Sequence, residues 1–224
     1  MNAKELIEEN NQKRERLTKE NKKYYEDMLV YIRVSYDKSE QETEEVLAEM
    51  LDHLLEAQQD GKTAKDVFGD HPKQYADEII GELPKAITKE WAKLISMGIL
   101  YFLSVGMLFS GVFDLIAYYM FVAGDLAQEY NAGSVIIRMI ISIPIAFLLV
   151  MGALHYIRWS CFKEISKVKE FLLSGLGGVF AFGVFLGVVF LTPELGPTIE
   201  VPAYMVLLGG GILFLIAHLI RKYG

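Results

Sequence analysis

The stretch LISMGILYFLSVGMLFSGVF, residues 94–113, decides the fold. It holds no Asp, Glu, Lys or Arg, and it extends to residue 122 with Asp114 as its one charge. About 20 apolar helical residues cross the roughly 30 Å of hydrocarbon in a bilayer. A buried helix of a soluble protein is the alternative reading of any single run. Outward from this one lie three more, at 135–156, 171–191 and 201–220, separated by short polar joints. Four in succession leave a soluble core little room. The expected fold class is all-α: a small N-terminal helical domain of about four short helices, then a four-helix transmembrane bundle.

Upstream of the spans the chemistry changes. Hydrophobic residues make up 52% of the 224, yet 23% are charged. Those figures coexist because the two classes are segregated. Through Trp91 there are 22 Asp/Glu against 14 Lys/Arg, a net of −8; the remainder carries 7 against 8, a net of +1. An acidic polar third precedes an apolar two-thirds, and the reading divides the chain into a flexible leader (1–16), a cytoplasmic helical domain (17–90) and a transmembrane domain (91–224). The leader is polar and charged, with no apolar run, so the first span is expected to act as its own insertion signal.

Basic residues beside the spans set orientation. Lys85, Lys89 and Lys93 lead into the first span, Arg158, Lys163, Lys167 and Lys169 follow the second, and Arg221 and Lys222 follow the fourth. The opposite joints, 123–134 and 192–200, hold Asp125, Glu129, Glu194 and Glu200 but no Lys or Arg. A multi-pass protein of the cell membrane with both termini cytoplasmic is expected, its first partner the lipid bilayer.

Within the spans, small residues recur four apart: Gly106/Ser110, Ser142/Ala146, Ser174/Gly178 and Gly183/Gly187, with Gly209-Gly210-Gly211 in the last. In lipid such faces let helix backbones approach. Packing within one bundle is the favoured use, and a homo-oligomer face the other. Pro144 lies inside the second span and should kink it. Asp114 and Arg138 form a candidate intramembrane ion pair near the outer end of the first two spans. Structural pairing or interfacial solvation outweighs an ion or proton site there. His155 and His218, at the cytoplasmic span ends, need no special role.

The helical domain shows apolar stripes at helical spacing: Tyr25, Met28, Leu29 and Ile32; Val46, Leu47, Met50, Leu51, Leu54 and Leu55; Val67 and Phe68; then Tyr75, Ala76, Ile79, Ile80, Leu83 and Ile87. Ser39 with Glu42 reads as a capping box, and Thr63 with Asp66 as the cap of a short helix. Gly61 should end the helix before it, Pro72 should open the last helix, and Pro84 should break it. Leu6, Ile7 and Leu17 are the only apolar anchors in the first 20 residues, which reads as a frayed or disordered segment.

The segment Gln58-Gln59-Asp60-Gly61-Lys62-Thr63-Ala64-Lys65-Asp66-Val67-Phe68-Gly69-Asp70 resembles one carried by the bacterial membrane proteins of domain-of-unknown-function family 1129. The resemblance implies a short helical domain ahead of about four or more spans. Continued into Pro72, Tyr75, Ala76, Glu78 and Ile79, the segment is also similar to helical domains that precede spans in bacterial signalling proteins. No activity or functional residue is carried over with it; regulation or scaffolding at a bacterial membrane is what it implies. Gly61-Lys62-Thr63 is not a phosphate loop, because position 56 is Glu56 rather than glycine and no strand precedes it.

Other chemistry is sparse. His53 and His71, beside Asp52 and Asp70, lack the spacing of metal ligands, so neither a metal nor a cofactor is expected. The acidic surface argues against nucleic acid. The stretch from Lys13 to Lys23 is basic but interleaved with Glu15 and Glu20, and reads as a solvated face, with contact to anionic lipid headgroups the alternative. Cys161 stands alone, an inert thiol. With no HExxH, GxSxG, paired intramembrane aspartates or Cys–His set, the chain reads as no enzyme. The expectation is a regulatory, signalling or scaffold component whose helical domain binds a protein partner. A small transporter or channel-like protein is the alternative; it would want a polar midplane, which the nearly uncharged spans lack.

Overall fold

A computed structural model describes residues 1–35, 37–86, 88–121, 126–163 and 165–223, with 88–90 and 223 described by their backbone. Ile87, Val122, Ala123 and Asp125, used in the expectations above, lie outside the described residues, as does the side chain of Lys89. Two compact units emerge: Met1–Ile87 with Met151–Glu170, and Thr88–Val150 with Phe171–Gly224. The first therefore recruits the segment after the second span, which the sequence reading treated as a mere joint.

In the first unit, α1 (Ala3–Lys13) replaces the expected flexible leader. Asn2 and Glu5 form a reciprocal capping box, each accepting the other's backbone N–H at 3.0 Å. Leu6 is buried, Asn10 Nδ2 donates to the Tyr25 hydroxyl at 2.5 Å, and Lys13 Nζ reaches Asp52 at 2.7 Å. Few apolar anchors suffice here because the polar residues between them find partners on α2 and α3.

α2 (Lys19–Arg33), α3 (Glu40–Gln59), α4 (Ala64–Phe68) and α5 (Pro72–Glu82) enclose the core. Tyr25, Met28, Ile32, Leu47, Leu51 and Leu54 are fully buried, and Phe68, Ala76, Ile80 and Leu83 close the cluster. These are the stripes the spacing marks, so periodicity dictates this core. α5 stops at Glu82, with Leu83 extended at ψ 135°; a residue ahead of proline avoids the helical region. The cap at Ser39 differs from expectation. Its hydroxyl donates to the Glu42 carboxylate instead of accepting the Glu42 N–H.

The second unit contains helices long and apolar enough to cross a membrane: α6 (Thr88–Phe121), α7 (Ala132–Ser160), α8 (Lys167–Leu191) and α9 (Ala203–Tyr223). The last turns of α7 and the first residues of α8 belong to the first unit. Phe109, Phe180 and Leu191 are among many large apolar side chains left exposed. Burial in lipid accounts for them, and the protein is a multi-pass membrane protein. α7 continues as helix through Pro144.

α6 and α9 pack closely because glycine permits it. A β-carbon at Gly111 would lie 2.7 Å from Leu207 Cγ, one at Gly209 2.7 Å from Met107 Cε, and one at Gly210 3.1 Å from the Leu108 backbone nitrogen. Ser104 Oγ donates to the Gly210 carbonyl at 2.8 Å, and Tyr101 meets Phe214 edge to face at 5.4 Å. By contrast, Gly106, Gly178, Gly183 and Gly187 have nothing within 4 Å of such a β-carbon. Of the small-residue sets, Gly209-Gly210 is the one whose glycines approach a neighbouring helix.

The polar joints hold unforeseen structure. β1 (Ala127–Asn131) pairs antiparallel with β2 (Thr198–Pro202), in a register that sets Tyr130 against Ile199 and Glu129 against Glu200. Ser134 Oγ donates to the Pro193 carbonyl and accepts the Leu195 N–H, both at 2.8 Å, bracing the ribbon's base.

Candidate functional site

The segment from Gln58 to Pro72 is organised by Asn21, a side chain of α2 only 2% exposed. Its Oδ1 accepts the Ala64 N–H at 2.7 Å. Its Nδ2 donates to Gln58 Oε1 at 3.1 Å and to the Lys62 carbonyl at 3.5 Å. Gln58 in turn accepts the Thr18 N–H at 2.8 Å and donates to the Arg16 carbonyl at 3.1 Å. Gly61, at φ 77°, makes the turn possible. Thr63 and Asp66 then cap α4 reciprocally, and the hydrogen bonds from the Thr63 backbone and hydroxyl hold the Asp66 carboxyl below its usual range.

Phe68 is buried between Tyr24, stacked at 6.1 Å, and Tyr75, tilted at 5.4 Å. The Tyr24 hydroxyl donates to the Gly69 carbonyl at 2.9 Å; burial, helped by the Asp70 charge, pushes it up to about 12. Gly69 sits at φ 85°, and Pro72 occupies the first turn of α5. Gly61, Thr63, Phe68, Gly69 and Pro72 thus serve the fold. The Lys62 side chain and Asp70 are exposed.

A second cluster gathers around Asp77 on α5. Its Oδ1 accepts the Tyr31 hydroxyl at 2.7 Å and Arg158 Nη2 at 3.2 Å, while Oδ2 accepts Lys73 Nζ at 2.7 Å. The Arg158 guanidinium, from the last turn of α7, stands 4.5 Å from the Tyr31 ring centroid, in cation–π range. Phe162 packs its ring 5.4 Å from the same tyrosine. Its φ is 63°, the left-handed region that a bulky residue adopts only when its surroundings hold it there. Partial burial works against the Asp77 charge, but the bonds from Lys73 and Tyr31 and the charges of Lys73 and Arg158 prevail and lower its pKa. The Asp77 bond likewise raises that of Lys73. The cluster borders an open cleft of about 730 Å³.

The expected Asp114–Arg138 pair does not form. Arg138 Nη2 donates to the Val189 carbonyl at 3.2 Å, in the last turn of α8, where helix carbonyls lack intrahelical partners. Asp114 hydrogen-bonds Ser110, one turn back on its own helix. α6 packs chiefly against α9, which accounts for the separation. Asp114 Oδ2 and Arg138 Nε are left without a hydrogen bond. His53, His71, His155 and His218 are exposed. Among the described residues no three His, Cys, Asp or Glu gather as metal ligands. Burial, with the Asp27 charge, pushes the Cys161 thiol up, away from a reactive thiolate.

Over residues 16–223 the sequence matches the family described as "Protein of unknown function (DUF1129)". The chain belongs to the DUF1129 family. Neither a curated protein nor a solved structure matches it. The match takes in α2 through α9, and α1 of this DUF1129 protein lies ahead of it.

The sequence alone did not mark Asn21, Tyr31 or Asp77, and it marked Arg158 only as a flanking basic residue. Asn21 had left a signal: it stands one turn before Tyr25 on the apolar stripe of α2, and a polar residue on a buried face must find a partner. Arg158 left none, since 81 residues separate it from Asp77 and no local pattern foretells that contact.

Proposed function

We propose that this DUF1129 protein is a non-enzymatic regulatory, signalling or scaffold component of a bacterial cell membrane, with both termini cytoplasmic and a helical domain that binds a protein partner. The observation that carries the reading is the Asp77 cluster. Arg158 and Phe162, at and just beyond the end of a membrane-crossing helix, belong to the same compact unit as the helical domain and engage Tyr31 and Asp77 of it. A partner that engages α5 and displaces Arg158 changes what holds the end of α7. Pairing of β1 with β2 supports the orientation: it keeps the acidic joints together, and the basic clusters belong to the opposite helix ends.

The test compares the full chain with one lacking residues 1–83 in a null strain, with membrane levels confirmed by blotting. A regulator loses its cellular effect with the domain. Complementation by the spans alone refutes the reading and favours a small transporter, the alternative to which the unpartnered Asp114 and Arg138 atoms lend support. Reporters inserted after Ala127 and Leu195 should read outside and one at the C-terminus inside; a C-terminal reporter on the outside overturns the orientation.

A further inference from the structure

α3 carries Glu42, Glu45 and Glu49 at spacings of three and four, so the three carboxylates stack along one face. Like charges one turn apart disfavour a helix, and among the described residues this row faces a groove with no basic residue in its lining. Glu82 rises on the α5 side, and Val46, Ile79 and Pro84 supply apolar surface between the acidic walls, enclosing about 370 Å³. Among the described residues no Lys or Arg lines the groove. Lys38, beside it, spends its ammonium on the Leu83 carbonyl at 2.9 Å. Among the described residues Glu42 accepts hydrogen bonds from the neutral Ser39 hydroxyl and its own backbone N–H, Glu45 accepts one from the neutral Gln41, and Glu49 and Glu82 have no hydrogen-bond or ion-pair partner.

We propose that this groove between α3 and α5 is a docking site for a basic amphipathic helix of a partner protein. The inference rests on the partner-binding reading above and names where the partner sits and what it is made of. An apolar strip between carboxylate walls complements a helix with one apolar face flanked by Lys and Arg, the helix-in-groove mode of recognition. From Glu42 to Glu49 the wall runs roughly 10 Å at 1.5 Å per residue, two turns of a docked helix. The sign of the charge turns away nucleic acid and anionic lipid, which call for basic surfaces. A dissolved cation would want converging oxygen ligands, and no such group of three exists among the described residues.

The test uses the full chain in nanodiscs of zwitterionic phosphatidylcholine, so that the lipid does not itself attract the probe. The probe is a fluorescent synthetic peptide of Leu and Lys, about four helical turns or roughly 14 residues long, with leucine confined to one face. Anisotropy should show saturable binding, one peptide per chain, weakening as salt shortens the Debye length from about 10 Å at 0.1 M towards 3 Å at 1 M. Glu45→Lys/Glu49→Lys should weaken it by at least about tenfold, roughly the factor that 1.4 kcal/mol represents. Ile79→Ser should weaken it with no change of net charge, while Glu8→Lys/Glu20→Lys, with the same charge change at exposed sites outside the groove, should leave it intact. Helicity by circular dichroism confirms that each variant is folded. No saturable binding above empty nanodiscs, equal losses in the groove and control variants, or calcium bound at the groove in place of the peptide would each overturn the proposal. Normal complementation by Glu45→Lys/Glu49→Lys, where deletion of residues 1–83 fails, sinks the groove and leaves the partner-binding reading standing; complementation by the spans alone sinks the latter.

Discussion

Arg33→Met should destabilise the helical domain by about 3 kcal/mol, the lower end of the range for breaking a buried ion pair. Arg33 Nε and Nη2 donate in parallel to Glu44 Oε1 and Oε2, each at 2.7 Å, across α2 and α3. The Glu44 side chain is 4% exposed and that of Arg33 26%. Removing the guanidinium leaves a carboxylate that water barely reaches, and the full desolvation cost appears. The more exposed Arg33 end lets some water in, which selects the lower end. In the fragment 1–86, which carries all of α1 to α5, this amounts to roughly 12–24 °C in Tm at about 4–8 °C per kcal/mol for a domain of this size. Arg33→Met/Glu44→Leu removes both charges and should recover most of the loss. Urea unfolding followed by circular dichroism measures both. A loss under about 1 kcal/mol for the single variant, or a double variant no better than it, would refute the argument that burial of Glu44 sets the cost.

Asn21→Ala should cost about 1–3 kcal/mol in the same assay, because the buried Ala64 N–H loses its acceptor; a change within error would show that water replaces the amide. Gly111→Leu should lower the thermal midpoint in detergent by the equivalent of about 1–3 kcal/mol through overpacking against α9, while Gly178→Leu, on open helix surface, should not. Asp114→Asn and Arg138→Gln should be additive in stability, since each residue bonds elsewhere; a coupling near 1 kcal/mol would restore the ion pair. The Asp77 carboxyl titrates below its unfolded value of about 3.9, so its contribution is complete above that pH and is lost as pH falls through the folded value. In a Trp91→Phe background, fluorescence of Trp159, the chain neighbour of Arg158, should therefore change as pH falls below about 3.9, and the Asp77→Asn variant should not show that transition.

What the chain settles by itself is whatever depends on neighbours a few positions away. Twenty apolar residues from Leu94 meet the thickness of hydrocarbon without reference to any other part of the molecule. The stripe Leu47, Met50, Leu51 and Leu54 buries one face of α3 because 3.6 residues make a turn, and Thr63-x-x-Asp66 caps α4 with atoms three residues apart. Tertiary structure decided the rest, where each partner is distant in the chain and polar. Asn10 finds Tyr25 and Lys13 finds Asp52, which turns an expected leader into α1. Arg158 finds Asp77 across 81 residues. The joints after α6 and α8, polar and unpatterned when read singly, become a β-ribbon only when each supplies the other's hydrogen bonds. Gly111 and Gly210 matter where Gly178 and Gly183 do not, although all four look alike in sequence, because a glycine contributes to packing only through what approaches it.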